Sequence, residues 1–185
     1  MFDLQDFITR CEQFVGATDG PRRVLDLMRS VVGDAEAIKS AIVPGGDSPR
    51  AIRDLTLFRS EELFVLNAAV YPHLKSPPQD HCMWAVIGIY EGQENNTFYR
   101  RSGKGIEEIN RHEIRAGEAI FLGPEVIHAI ENPLGSTTLG LHVYGGDIFT
   151  AKRSMWHPRT GKELPYDVPQ FFKWCKELAE APRAV

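Results

Sequence analysis

Cysteine is scarce in this chain. Cys11, Cys82 and Cys175 are odd in number, far apart and without a Cys-x-x-Cys pair. That argues against a disulfide framework and fits a reducing compartment. No apolar run approaches the roughly 18 residues of a membrane span. The first residues, MFDLQDFITRCEQF, carry acids and an amphipathic pattern where a signal peptide would be basic and then continuously apolar. A strong charge of either sign is also missing. Lys and Arg number 21 against 25 Asp and Glu, a net charge of -4, and the arginines form no basic run. Neither nucleic acid nor an acidic membrane is indicated as a partner. Internal repeats and low-complexity segments are absent too, and the expected location is cytoplasmic.

What is present is ordinary for a globular chain: 43% apolar and 25% charged residues in a length of 185. That length is ample for one domain with a sizeable core and short for two. Residues 1–45 read as a helical cap. Leu4, Phe7, Ile8, Cys11, Phe14 and Val15 repeat at spacings of three and four, forming one apolar stripe. Pro21 then sits where a helix can open, and Val24, Leu25, Met28, Val31 and Val32 form a second stripe. Asp34 is placed to cap a third helix running to Ile42, where VPGGDSP stops it.

From residue 51 to 165 the pattern changes to short apolar, β-branched runs: LFVLNAAVY, WAVIGIY, TFYRR, AIFL, VIHAI and TTLGLHVY. Turn-rich EGQENN, RSGKG, RAGE, ENPLGS and YGGD separate them. Many short strands at regular spacing predict a sandwich, jelly roll or barrel. A last helix is expected over 168–181, with Phe171, Trp174, Cys175 and Leu178 on one face. The expected fold is therefore an all-β core between helical ends.

Two segments in the β region carry candidate chemistry. Gln79-Asp80-His81 enters the strand Trp84 to Tyr90. In RAGEAIFLGPEVIHAIENP, Gly117 turns the chain, His128 follows eleven residues on, and Asn132 lies four beyond that. This second spacing resembles the second cupin motif, and the first segment resembles the first motif with Gln79 in place of its first histidine. Ala85 stands where that motif usually has a glutamate. A cupin without this glutamate is similar to the thiol dioxygenases, which hold iron(II) on three neutral histidines. Gly140-Leu141-His142-Val143-Tyr144 resembles the Ser-x-His-x-Tyr relay of that family, with Gly140 at the serine position. Val86 stands at the position of the cysteine that is cross-linked to the tyrosine in mammalian members.

The resemblance implies a cupin double-stranded β-helix and a metal-dependent dioxygenase that oxidises a small carboxylate-bearing thiol to a sulfinate with O2. It implies iron(II), or another divalent metal, on Gln79, His81 and His128. Tyr144 and His142 would act on oxygen or a proton, and Arg153 would bind the substrate carboxylate. Arg59 resembles a second carboxylate-binding arginine, with Arg53 a rival for that place. The glutamine keeps the donor set neutral, because its carbonyl oxygen can face a metal while its NH₂ bonds a neighbour.

Other readings stay open at this level. His73, six residues before Gln79, reaches the site only if the loop folds back, since six extended residues span about 20 Å. Asp80 should point away from its strand neighbours. Cys82 reads as a buried structural thiol and His112 as an ordinary strand histidine. His157 reads as a turn residue, and Trp84 and Phe121 as barrel-core residues, with Trp84 also a candidate for a pocket wall. An oxygenase acting on a non-thiol substrate, and a non-catalytic small-molecule-binding cupin, are the alternative functions. The oligomeric state is not legible.

Overall fold

The computed structural model describes residues 1–42, 55–103 and 105–180. The expected helix stop at VPGGDSP and the candidate Arg53 lie outside the described residues, as does the end of the C-terminal helix beyond Glu180. Three helices open the chain: α1 (Leu4–Val15), α2 (Gly20–Val31) and α3 (Ala35–Ala41). The Asp3 carboxylate accepts from the Asp6 N–H and the Asp34 carboxylate from the Ala37 N–H, each satisfying a donor that the first helical turn leaves free. Pro21 occupies the first turn of α2, where its missing N–H costs nothing. The apolar stripes face inward as their spacing requires: Phe7, Ile8, Cys11 and Phe14 on α1, and Val24, Leu27 and Met28 on α2, are buried.

Eleven strands follow among the described residues. They are β1 (Thr56–Arg59), β2 (Phe64–Val70), β3 (Gln79–Asp80), β4 (Ala85–Glu91), β5 (Gln93–Ser102), β6 (Gly105–Arg115), β7 (Glu118–Leu122), β8 (Ile127–Glu131), β9 (Thr138–Tyr144), β10 (Ser154–Trp156) and β11 (Glu163–Pro165). Helix α4 (Val168–Glu180) closes the described chain. One sheet has the order β1-β2-β9-β4-β7 and the other β11-β10-β3-β8-β5-β6, and the pairings are antiparallel. Within them, β2-β9-β4-β7 faces β3-β8-β5-β6, with successive strands from β2 to β9 exchanging sheets except at the β5–β6 hairpin. That order is a jelly roll, the double-stranded β-helix of the sequence expectation, with β1 and the β10–β11 pair added at its edges.

Strand periodicity divides the first sheet between two cores. On one face Val65, Val86, Leu141 and Val143 meet the helices; on the other Phe64, Leu66, Ala85, Ile87, Ile89 and Tyr144 line the barrel. Gly88 lets α2 approach this closely, because a Cβ there would come within 2.5 Å of the Met28 side chain. Phe171, Trp174 and Cys175 of α4 pack with Met155 in a third cluster beside β10. No helix among the described residues is long and apolar enough to cross a membrane.

Several expectations are corrected. QENN, read as part of a turn, is the first half of β5, which pairs with β6 in a long hairpin. Its inward residues are Glu94 and Asn96 rather than apolar ones, so hydrophobic alternation gave no strand signal there. Most of β6 is exposed, with Ile114 its buried residue, and cross-strand pairs such as Arg100–Glu107 accompany it. Phe121 is not a core residue: it lies on the outer face of β7 and is exposed. Cys82 is exposed rather than buried, in a left-handed turn at φ 53°. Trp84 packs against the helix-side core and over the Gly145 backbone, not in the barrel interior.

Candidate metal and substrate site

Strand registers bring the candidate residues to one end of the barrel interior. Gln79 on β3 pairs directly with His128 on β8, so both side chains leave the sheet on the same face. His81 follows β3 and is buried. On the opposite sheet Tyr144 lies between Phe64 and Ala85, and His142 between Leu66 and Ile87. A cavity of about 140 Å³ lies between the sheets. Its wall includes Gln79, His81, His128, His142, Tyr144 and Arg153, with Leu66, Ile87, Ile130 and Ile148 among its apolar part.

His81 Nε2 and His128 Nε2 stand 2.9 Å apart. Two nitrogens bound to one ion at about 2.1 Å each, and roughly at right angles, would lie about 3.0 Å apart. The Gln79 carbonyl oxygen, in a residue only 8% exposed, has no hydrogen-bond partner among the described residues. A buried acceptor without a donor is costly, and a cation beside the two imidazoles would satisfy it. Burial, with smaller contributions from His128, Arg153 and His142, pushes the His81 pKa well below the ordinary range. Burial and then Arg153 bring His128 down to about 4. Both imidazoles are therefore neutral at pH 7, the form that binds metals. On these grounds the donor set fits a divalent ion. It has two histidines and an amide, and the described residues contain no cluster of three His, Cys, Asp or Glu that could hold one.

Around this pair lies a supporting shell. His128 Nδ1 meets Asn96 Oδ1 at 2.7 Å, and Asn96 Nδ2 donates to Glu94 Oε1 at 2.9 Å. Glu94 is fully buried, and burial pushes its pKa up to about 7 despite the Asn96 bond. Arg153 brings Nη1 to 3.4 Å from His81 Nδ1 and lays its guanidinium over Tyr166, 3.8 Å from the ring centroid. His142 Nδ1 and the Tyr144 hydroxyl are 3.1 Å apart. Burial and then His128 lower His142 to about 3, and burial raises Tyr144 strongly, so that pair is neutral as well. His142 Nε2 has no partner among the described residues. A Cβ at Gly140 would sit 3.3 Å from that nitrogen but only 2.9 Å from the Gly88 carbonyl oxygen, so the close approach of the two strands favours glycine there.

The remaining candidates lie elsewhere. Arg59 is outside the cavity: its Nη2 donates to Asp147 Oδ2 at 2.7 Å and its guanidinium lies over Phe149. His73 is exposed and takes no part in the site. Asp80 points away from the cavity, accepting from the Ser154 N–H at 2.7 Å and pairing with Arg101. Asn132, the last residue of the second motif, is structural. Its NH₂ donates to the carbonyls of Val70, Tyr71 and Ser136, and its oxygen accepts from the Leu134 N–H. His157 holds a turn by accepting from the Arg159 and Thr160 N–H groups. Glu94, Asn96 and Tyr166 were not singled out from the sequence. The signal for the first two was an alternation of polar residues, Glu94 and Asn96 followed by Phe98, just after the turn at Gly92.

No protein-family model matches the chain. Among solved structures it is similar to the DMSP lyase DddQ from Ruegeria pomeroyi DSS-3, at 18% identity and a TM-score of 0.42, covering 54% of this chain and 46% of that one. It is similar to the Schizosaccharomyces pombe Cnp3 cupin domain at 11% identity and a TM-score of 0.41, covering 51% and 64%. It is similar to an 11S globulin from Wrightia tinctoria at 14% identity and a TM-score of 0.43, covering 54% and 24%. These matches span less than two thirds of the length of those chains. The neighbours are cupin-fold proteins, and they include both a lyase and an 11S globulin.

Proposed function

We propose that the chain is a metal-dependent dioxygenase that oxidises a small carboxylate-bearing thiol to a sulfinate. The observation that carries this reading is the meeting of two neutral imidazoles and an amide oxygen without a partner among the described residues, in a small cavity that an arginine also lines. Gln79, His81 and His128 would hold the metal, for which iron(II) is the proposed ion. When bound, it would supply the redox chemistry that lets O2 react with sulfur. The balance is RSH + O2 → RSO2H: the O–O bond breaks, two S–O bonds form, the sulfur is oxidised and dioxygen is reduced.

The chain's own residues would bind, orient and shield the substrate. Arg153 offers guanidinium N–H groups to a carboxylate, a charge-assisted contact that also fixes orientation. Stacking on Tyr166 limits where that guanidinium can sit. The aliphatic wall excludes water and strengthens polar contacts inside. Tyr144 and His142 share one proton at 3.1 Å, either the hydroxyl donating to Nδ1 or Nδ1–H donating to the phenol oxygen. In the second arrangement the tyrosine hydroxyl is free to donate to oxygen or to substrate. Arg59, held by Asp147, has no role in this proposal.

The test is anaerobic loading with iron(II), then oxygen uptake on addition of 3-mercaptopropionate, cysteine or related thiols. Uptake matched by thiol loss and sulfinate formation is expected, with Tyr144→Phe slowing turnover by about 100-fold or more. Iron-loaded protein that consumes no oxygen with any of these thiols would refute the proposal. One observation favours a metal-free binding cavity instead: at 2.9 Å His81 and His128 can satisfy each other by hydrogen bonding. That reading requires thermal stabilisation by a small carboxylate in protein that takes up neither metal nor oxygen. An oxygenase acting on a non-thiol substrate would bind iron and ignore all the thiols.

A further inference from the structure

A chain of hydrogen bonds runs behind the cavity, and the groups at its ends limit its direction. Glu94 on β5 is fully buried, and its Oε1 is 2.9 Å from the side-chain amide of Asn96. The ionised carboxylate, the form present above about pH 7, only accepts, so Asn96 then turns its NH₂ toward Glu94 and its oxygen the other way. That oxygen lies 2.7 Å from His128 Nδ1, and an amide oxygen only accepts, so His128 must carry its hydrogen on Nδ1. A neutral imidazole with Nδ1–H has its lone pair on Nε2, the nitrogen 2.9 Å from His81 Nε2. The other end agrees. Arg153 only donates, its Nη1 faces His81 Nδ1 at 3.4 Å, and this leaves His81 Nε2–H to donate to His128 Nε2.

Nothing about the imidazole itself selects this tautomer. With Asn96 flipped, its NH₂ would donate to His128 Nδ1, the hydrogen would move to Nε2, and no lone pair would face His81. Behind the cavity the buried carboxylate opposes that flip, and on the cavity side the Arg153–His81 contact favours the same tautomer. We propose that Glu94 is a positioning residue which, through Asn96, fixes the tautomer of His128 and presents its Nε2 lone pair to the cavity. Glu94 touches neither cavity nor substrate. It acts through two side chains, as the outer partners of metal-ligating histidines do. The consequence for an ion rests on the metal site proposed above; the tautomer itself does not. The jelly roll explains the placement, since Glu94 and Asn96 are two apart on β5 and share its inward face, and β5 pairs with β8 beside His128.

The experiment is ¹⁵N NMR of the histidine side chains in metal-free protein at about pH 8.5, where Glu94 is ionised, for the wild type, Glu94→Met and Glu94→Gln. Methionine keeps the bulk without a comparable acceptor, while glutamine keeps an oxygen for Asn96. The wild type should show His128 protonated on Nδ1 and Glu94→Met should shift it toward Nε2–H, while Glu94→Gln, whose amide can turn either its oxygen or its NH₂ to Asn96, should fall between the two. Cobalt(II) affinity should fall about 10- to 100-fold in Glu94→Met and by less in Glu94→Gln. Wild-type protein with His128 protonated on Nε2 would overturn the inference without any variant, so it remains testable even if Glu94→Met fails to fold. An unchanged tautomer in folded Glu94→Met would overturn it too. If the tautomer follows Glu94 but no form takes up cobalt(II), the positioning role stands and the metal reading fails.

Discussion

Burying Glu94 should make stability depend on pH in a way that a single substitution removes. Its pKa is pushed from an ordinary 4.5 up to about 7, chiefly by burial. Between those values the folded chain holds a proton that the unfolded chain has lost, so stability falls as pH rises. The raised value makes this contribution fully present below pH 4.5 and lost as pH passes through about 7. At 1.36 kcal/mol per pH unit the full change is about 3 kcal/mol. At pH 4.5 only about 0.4 kcal/mol of it has been lost, and at pH 8.5 essentially all of it. Glu94→Gln removes the titration while keeping size and an acceptor for Asn96. Its other effects, such as an amide NH₂ where Oε2 now has no partner among the described residues, are constant with pH and cancel in the comparison. Urea unfolding of metal-free wild type and variant at pH 4.5 and 8.5 is the assay. The stability of the variant relative to wild type should rise by about 3 kcal/mol between the two values. The same relative stability at both, within about 1 kcal/mol, would refute the burial argument.

The imidazoles act with the opposite sign. Folded pKa values are lowered to about 4 for His128 and about 3 for His142, and His81 is lowered as well, so their contribution is present above pH 6.5 and lost on acidification. Three histidines outweigh one carboxyl, and metal-free protein should lose stability in urea unfolding between pH 6.5 and 4.5; a gain would contradict their neutral burial. Asn132→Ala removes three donations to backbone carbonyls and one acceptance, and should destabilise by about 2 to 4 kcal/mol by thermal or urea unfolding, with a loss under 1 kcal/mol denying the structural role. Arg153→Ala should weaken binding of a small carboxylate by about 10- to 100-fold in titration calorimetry, and Arg59→Ala by less than about 3-fold, because Arg59 is held outside the cavity by Asp147. A larger effect at Arg59 would reverse that assignment.

Apolar periodicity made much of the fold legible. The α1 stripe reads directly as its buried face, and β2, β4 and β9 appear as β-branched runs because each buries residues on both sides. The same rule failed on β5 and β6. Inside the barrel β5 presents Glu94 and Asn96, and β6 is mostly solvated, so neither has the alternation that marks a strand. Phe121 shows the reverse error, since an apolar residue in a strand does not say which face is covered. The approach of Gln79 to His128 was implied by the resemblance to the two cupin motifs, and the shared face of His142 and Tyr144 followed from their separation of two. Sequence could not pair Arg59 with Asp147, 88 residues away, because that contact depends on how the loops after β1 and β9 meet. Nor could it reveal the chain from Glu94 to His128, in which the middle residue is an asparagine with no motif of its own.

The central claim is that Gln79, His81 and His128 hold one metal ion. It is tested most directly by elemental analysis of protein purified without added metal or chelator, before and after anaerobic iron(II) loading, beside His81→Ala. The account predicts about one metal per chain in the wild type and its loss in the variant. No metal in either protein, even after iron loading, would contradict it and leave the cavity as a binding pocket whose two histidines meet through their Nε2 atoms.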